Sequence, residues 1–284
     1  MAGRLEGKVA LITGAARGQG RSHAVRMAEE GADIIALDIC RQIKTNPYPL
    51  SSPEDLAETA LLVEKVGRRV MTAQVDVRER EPLRKAVASG RSALGGLDVV
   101  VANAGILPIN DPSPMAFIDA VDVDLVGVIN TVAVTIEELP DGSSIIITGS
   151  TAGMMEGTAD NPALGGGGAG YSYAKKTLIG YVEALALQAA HRSIRVNAIH
   201  PTNVNTHLIH HEGLYKIFRP DLESPTREEA ELAFTYFQAM PIPYVEPVDI
   251  SHLVVYLAAD ESRYVTGQQI RVDAGSLLQK SPIG

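Results

Sequence analysis

Short apolar runs alternate along the chain with longer segments whose apolar positions recur at helical spacing. The runs are VALIT (9–13), DIIALD (33–38), RVMTAQVDV (69–77), LDVVVANAG (97–105), SSIIITGS (143–150), IRVNAIHP (194–201) and QIRVDAG (269–275). Several are apolar on both faces, the pattern of strands covered by helices on each side. Regular alternation of strand and helix predicts an α/β fold with a doubly wound, seven-stranded parallel sheet flanked by helices. Two stretches interrupt the rhythm and read as irregular insertions: the Pro-rich RQIKTNPYPLSSP (41–53) and the Gly-dense GTADNPALGGGG (157–168). No internal repeat and no interdomain linker is visible, so residues 1–284 read as one domain.

Composition narrows the class. With 45% hydrophobic and 21% charged residues the chain can bury a full core. A formal net charge of -9 with no cluster of Lys and Arg argues against nucleic-acid and anionic-membrane partners, because neutralising phosphates requires clustered cations. Cys40 is the only cysteine, which excludes an internal disulfide and points to a reducing compartment. The apolar run after Lys8 is too short for a signal core or a membrane span. The expectation is a soluble, cytoplasmic protein.

The first chemical motif is TGAARGQG (13–20), which follows the first strand and opens the first helix. Gly14, Gly18 and Gly20 let the backbone turn tightly and approach a pyrophosphate, whose charge the helix N-terminus stabilises. Three glycines alone also fit an ordinary tight turn. The context decides: the second strand ends in Asp38, 18 residues after Gly20, where a carboxylate can take the adenosine ribose hydroxyls and repel a 2′-phosphate. NAD is therefore expected over NADP, with Arg17 beside the phosphates as the one contrary sign.

TGAARGQG, ANAG (102–105), STAG (150–153), YSYAK (171–175) and HPTNVNT (200–206), in that order, resemble the short-chain dehydrogenase/reductase family over nearly the whole chain. The resemblance implies a single Rossmann-type domain, a homotetramer, and oxidation of alcohols or reduction of carbonyls with a nicotinamide cofactor. The long loop after LDIC, the phrase SPEDLAETALLVEKVGRRV, HPTNVNT without a glycine after Pro201, and the closing YVTGQQIRVDAG resemble the actinobacterial carveol dehydrogenase-like, mycofactocin-coupled branch.

Residue types select the reacting pair. Removing a carbinol proton requires a base, and a tyrosine serves if a cation lowers its pKa from about 10. Tyr171 and Lys175 stand at i and i+4 on one helical face. Tyr173 has no lysine at that spacing, and the partner position of Lys176 is Ser172. Ser150, at the carboxyl end of the fifth strand, can hydrogen-bond the substrate oxygen; Ser144 and Thr151 compete, but the family pattern Ser-x-x-Gly matches Ser150 and Gly153. The family's fourth catalytic position, an Asn in Asn-Leu-x-Gly, is Asp124 here. Asp124 could present its backbone carbonyl to a relay water, pair with Lys175 through water, or cap a local turn.

The resemblance carries further positions. Gly14, Arg17, Gly18, Gln19 and Gly20 would bind the pyrophosphate side, and Asp38 with Ile39 the ribose. Asp76 and Val77, at the end of the third strand, would touch adenine. Asn103, Ala104 and Gly105 would border the adenosine side, although Asn103 also suits a backbone bridge. Thr206 with the backbone from Pro201 to Val204 would hold the nicotinamide carboxamide, and residues 207–246 would form the substrate lid. His207, His210 and His211 have spacings compatible with metal ligation but lack an accompanying carboxylate or cysteine set, so they are expected to line or cover the pocket. In EEAELAFTYFQAM (228–240), Leu232, Phe234, Tyr236, Phe237 and Met240 are expected to pack.

The expected activity is NAD-dependent interconversion of an apolar secondary alcohol and its ketone, of terpenoid type such as carveol. Apolar walls are expected from Ile106 to Met115, Met154 to Leu164 and Leu208 to Ile242. A non-catalytic dinucleotide sensor would need the glycines and Asp38 but not Ser150, Tyr171 and Lys175. A methyltransferase would need neither YSYAK nor the carboxamide segment. Insertions at both ends of the cofactor site suggest closure over NAD, and the resemblance to the mycofactocin-coupled branch implies an enzyme that keeps its NAD and passes electrons to mycofactocin; the contrary expectation is that both are surface decoration on an exchanging dehydrogenase.

Overall fold

The computed structural model describes residues 3–111, 113–157 and 162–278. Its seven strands are β1 (Val9–Thr13), β2 (Asp33–Asp38), β3 (Val70–Gln74), β4 (Val99–Ala102), β5 (Ser144–Thr148), β6 (Arg195–Pro201) and β7 (Gln269–Val272). They form one parallel sheet in the order β3-β2-β1-β4-β5-β6-β7. The helices are α1 (Gly18–Glu29), α2 (Pro53–Lys65), α3 (Arg80–Leu94), α4 (Pro114–Val121), α5 (Gly127–Thr135), α6 (Gly165–Ala189), α7 (Glu212–Phe218), α8 (Arg227–Tyr236) and α9 (Pro247–Ala258). The connection direction reverses between β1 and β4, which opens a crevice at the carboxyl ends of those strands.

The period-two side-chain alternation of a strand divides the core into two layers. Ala10 and Ile12 of β1, Ile34 and Ala36 of β2, and Val99 and Val101 of β4 pack with α1, α2 and α9 on one side. Leu11, Ile35, Leu37, Val100 and Ala102 pack with α3, α5 and α6 on the other. Every residue of β1, β2, β4, β5 and β6 is buried, whereas the edge strands β3 and β7 are partly exposed. Local signals set the helix starts. Ser52 and Asp55 form a capping box before α2, with Pro53 in the first turn, and Thr226 and Glu229 do the same for α8.

β1 and β2 coincide with the apolar runs that announce them, whereas β3 to β7 are shorter than theirs. β3 stops at Gln74 because Asp76 turns the chain, its carbonyl accepting from Glu79 N at 3.0 Å. β4 stops at Ala102, where the amides of Asn103 and Ala104 turn to Thr13 Oγ1. Within the expected 157–168 loop, residues 158–161 lie outside the described residues, and Gly165 to Gly168 are helical, the first turn of α6. Glycine is a poor helix former, but the packing demands it here. A Cβ on Gly167 would lie 1.8 Å from Pro108 O, and one on Gly170 would lie 2.6 Å from Phe117 O on α4. Tyr171 therefore stands well inside a helix rather than at its mouth.

A small third core caps the carboxyl edge of the sheet. Phe234 and Ala230 of α8 pack with Leu214 of α7 and with Ile109 and Ile209. Of the other apolar residues expected to pack along 228–240, Phe237 meets Phe218 edge-on at 5.7 Å, whereas Leu232 is 64% exposed, Tyr236 82% and Met240 57%. Helix α8 ends at Tyr236, so one apolar stripe cannot run through to Met240. No described helix is long and apolar enough to cross a membrane.

Candidate active site

A cavity of about 720 Å³ runs along the carboxyl edge of the sheet from the β1–α1 turn to α7 and α8. At its first end the glycines have separate reasons to be glycine. Gly14 has φ +68°, and a Cβ there would lie 2.9 Å from Ala104 Cα. A Cβ on Gly20 would lie 1.9 Å from Gly14 O, so this residue lets α1 close on the turn. The α1 N-terminus has no side-chain cap, leaving its amides to the cleft. Gln19 Oε1 and Asn203 Nδ2 are buried in the cavity wall with no hydrogen-bond partner among the described residues. A cradle closed to any Cβ, flanked by orphaned polar atoms, fits a dinucleotide.

Asp38 is buried at the end of β2. Its Oδ2 accepts from Ala16 N at 2.9 Å, and its Oδ1 accepts from Cys40 N at 3.1 Å and Ser51 Oγ at 2.5 Å. Ile39 lines the cavity beside it. Arg17 donates to Pro49 O in the 41–53 segment rather than standing free over the phosphate cradle. Asp76 and Val77 lie just past β3 and line the wall, with the Asp76 carboxylate held by Arg78 and Arg41. Burial acts to raise its pKa, and those guanidinium hydrogen bonds more than reverse this, leaving it below its ordinary value. Asn103 is a backbone bridge: its Nδ2 donates to Thr13 O and its Oδ1 accepts from Thr148 Oγ1. From Pro201 the chain runs through Asn203 to Thr206, pinned by bonds between Val245 and the backbone of Asn203 and Asn205.

Ser150, Tyr171, Lys175 and Asp124 come together in the middle of the cavity. Ser150 lies two residues beyond β5 and caps the turn Thr151–Gly153 through Ala152 N. Gly153 completes the pattern because a Cβ there would lie 2.6 Å from the Lys175 backbone. Burial raises the Tyr171 phenol above its usual pKa, opposed by Lys175 and the Ser150 hydroxyl and reinforced by Asp124. Lys175 Nζ is 5.5 Å from the Tyr171 ring centroid, donates to Thr148 O at 2.9 Å and lies 3.1 Å from Asp124 Oδ1. Asp124 sits in a π-helical turn, Asp122–Val126, between α4 and α5 and is fully buried. Burial pushes its carboxyl up to about 6, against the pull of Lys175. Tyr173, in contrast, is exposed and faces Phe117 on α4.

Several contributors had no role assigned from the sequence. His200 accepts or donates at Ser150 N and O, both 3.2 Å away, and its Nε2 meets Gln269 Oε1 at 2.7 Å. Because Gln269 Nε2 donates to Ile179 O, Oε1 must face His200, which makes Nε2 the protonated nitrogen and Nδ1 the acceptor of the Ser150 amide. Gly149 makes room for that ring, since its Cβ would lie 2.4 Å from His200 Nδ1. The 41–53 insertion supplies Ile43, Tyr48, Leu50 and Ser51 to the cavity. Tyr48 is 4% exposed, stacks on His211 at 4.9 Å and accepts from Leu107 N at 3.3 Å. The insertion thus crosses the cleft and joins the 207–246 segment. The sequence signal was Tyr48 set between Pro47 and Pro49 in a loop with few other apolar residues.

The apolar far end is lined by Ile106, Leu107, Met155, Leu164, Leu208, Leu214 and Phe218, among others, from all three expected walls. His207 lines the cavity. His210 bonds Asn205 and Tyr215, and His211 covers Tyr48. Among the described residues no group of three or more His, Cys, Asp or Glu side chains could hold a metal ion.

A dinucleotide cradle beside a Ser–Tyr–Lys cluster on a doubly wound sheet defines an oxidoreductase. Residues 8–213 match the short chain dehydrogenase family, and the chain belongs to that family. It is 44% identical to a (-)-trans-carveol dehydrogenase of Rhodococcus erythropolis, over 97% of this chain and 99% of the relative. It is also similar to the crystal structure of carveol dehydrogenase from Mycobacterium avium in complex with NAD, with 46% identity, a TM-score of 0.90, and coverage of 98% of this chain and 100% of that one. A short chain dehydrogenase from Mycobacterium paratuberculosis bound to NAD has 41% identity, a TM-score of 0.85 and the same coverage.

Proposed function

We propose that this protein is an NAD-dependent alcohol dehydrogenase that interconverts an apolar secondary alcohol, of terpenoid class such as carveol, and its ketone. The observation that carries the reading is the Ser150–Tyr171–Lys175 cluster standing between the dinucleotide cradle and the apolar end of one cavity. Asp38 takes the adenosine ribose and repels a 2′-phosphate, which selects NAD. Asp76 and Val77 border adenine, Ala104 and Gly105 the adenosine side, and Thr206 with the Pro201–Val204 backbone the carboxamide. NAD, when bound, supplies the acceptor for the hydride that leaves the carbinol carbon. Ser150 Oγ fixes the substrate oxygen beside the Tyr171 hydroxyl. Tyr171 takes the alcohol proton during oxidation and returns it during reduction, with Lys175 favouring the phenolate. The lid at 207–246 and Tyr48 exclude water from this site.

The same reading makes the protein a single-domain, cytoplasmic homotetramer that retains its NAD and passes electrons to mycofactocin. What supports retention is that Ile43, Tyr48 and Ser51 of the 41–53 insertion are buried against the cleft. A non-catalytic sensor is disfavoured by the gathering of Ser150, Tyr171 and Lys175 in one cavity, which such a protein does not need.

The test is a pair of substitutions assayed with an alcohol panel, with and without an artificial electron acceptor. Tyr171→Phe should cost roughly 10²–10⁴ in turnover with NAD still bound. Tyr173→Phe should be nearly silent, since that ring is 51% exposed. Equal losses in both variants would refute the assignment.

A further inference from the structure

The cluster contains a charge that its chemistry as described does not use. Asp124 lies where the resembled family carries a neutral amide, and it is fully buried. Its carboxylate is built into the site from three sides. The π-helical turn aims the side chain inward. Ile106 N donates to Oδ2 at 3.3 Å. Gly105 leaves the space, since a Cβ there would lie 2.6 Å from Asp124 Oδ1 and 3.6 Å from Lys175 Nζ. Oδ1 has no aligned hydrogen-bond donor among the described residues and faces the ammonium as a bare charge at 3.1 Å.

We infer that Asp124 is a built-in neutralising partner of Lys175, which cancels much of the ammonium's pull on the Tyr171 phenol and so moves alcohol oxidation by this chain to alkaline pH. The inference rests on Tyr171 being the base. Coulomb energy falls inversely with separation, and Lys175 Nζ is closer to the carboxylate, at 3.1 Å, than to the Tyr171 ring centroid, at 5.5 Å. With an amide at 124 the phenol would face a net positive charge; with Asp124 ionised it faces a neutral pair. The carboxyl titrates near 6, so the pair is intact wherever a tyrosine begins to ionise.

The other groups facing the phenol do not replace the missing pull. Ser150 contributes a neutral hydroxyl. Tyr48, on the insertion, is itself pushed up by burial and is protonated. Arg17 acts on Tyr48 and donates to Pro49 O. His200, behind Ser150, is held below its usual value by burial and is neutral in this range. Asp124 is therefore a positioning residue: it acts on Tyr171 by offsetting the charge of Lys175.

The experiment is the pH dependence of kcat/KM for alcohol oxidation by NAD-loaded wild type, Asp124→Asn and Asp124→Glu, with an artificial electron acceptor present. Asp124→Asn should move the midpoint of the acidic limb down by about one pH unit, as loss of a nearby like charge requires. Asp124→Glu, which keeps the charge, should stay near wild type. A direct readout needs only wild type and Tyr171→Phe: their difference in near-ultraviolet phenolate absorbance should place Tyr171 ionisation in wild type on the alkaline side of neutrality. An unmoved or upward-moved limb in Asp124→Asn, or ionisation of Tyr171 below neutral pH in wild type, would overturn the inference while Tyr171→Phe remains inactive. Turnover surviving in Tyr171→Phe would instead remove the base assignment itself, and this inference with it.

Discussion

Tyr48 is the place where the insertion can be tested as a closure over the cofactor cleft. Its ring stacks on His211, its hydroxyl accepts from Leu107 N, and its backbone carbonyl accepts from Asn46 Nδ2 at 2.7 Å and Gln42 Nε2 at 3.2 Å. These contacts join the 41–53 segment to the cap and to the strand-end segment at 105–109. Truncating a fully buried aromatic to alanine costs about 3–5 kcal/mol, and the lower figure suits a loop that can partly collapse. If that cost falls on the closed state, about 3 kcal/mol is roughly a hundredfold faster release of NAD, at 1.4 kcal/mol per factor of ten. Tyr48→Phe keeps the ring and loses one hydrogen bond, worth about 1 kcal/mol, so release should quicken only about fivefold. Stopped-flow displacement of bound NADH, followed by its fluorescence, measures both rates. An unchanged rate in Tyr48→Ala would show that the insertion does not hold the cofactor. Equal rates in the two variants would show that the ring is not the anchor.

Two further outcomes follow from buried carboxylates. Asp38→Ser should weaken NAD and relax the exclusion of NADP, each by roughly 1–3 kcal/mol, because one acceptor and one repulsive charge are lost; calorimetric titration of both cofactors checks this, and a wild type that prefers NADP would refute it. Asp33 is pushed up by burial, but Arg69 and Arg68 more than reverse this and hold it below its ordinary 3.8. A depressed carboxylate stabilises the fold above its unfolded pKa, and that stability is lost as pH falls through the folded value. Asp33→Asn should therefore be destabilised by roughly 1–3 kcal/mol in urea at neutral pH, with the gap to wild type closing below about pH 3.8; a gap that persists in acid would show a packing defect instead.

Strand count, parallel order and the juxtaposition of Tyr171 with Lys175 were legible in the sequence, because each depends on local repetition: apolar runs of strand length, and a tyrosine and lysine one helical turn apart. The limits of the elements were less legible. Gly165 to Gly168 read as loop by propensity, yet they are helical because Pro108 and α4 leave no room for a side chain. Asp76 reads as a strand end but belongs to a turn held by two arginines.

What the sequence by itself determined was the family, the cofactor and the address of the cavity on the sheet, since residue type and spacing specify a dinucleotide cradle and put Tyr171 and Lys175 on one helical face. Only the tertiary structure decided how those groups are charged and enclosed. Asp124 meets Lys175 across 51 positions, Tyr48 meets His211 across 163, and His200 meets Ser150 across 50. No local pattern encodes such pairs. They exist because three separate connections converge on one crevice, where burial and short distances turn otherwise unremarkable side chains into electrostatic and steric partners.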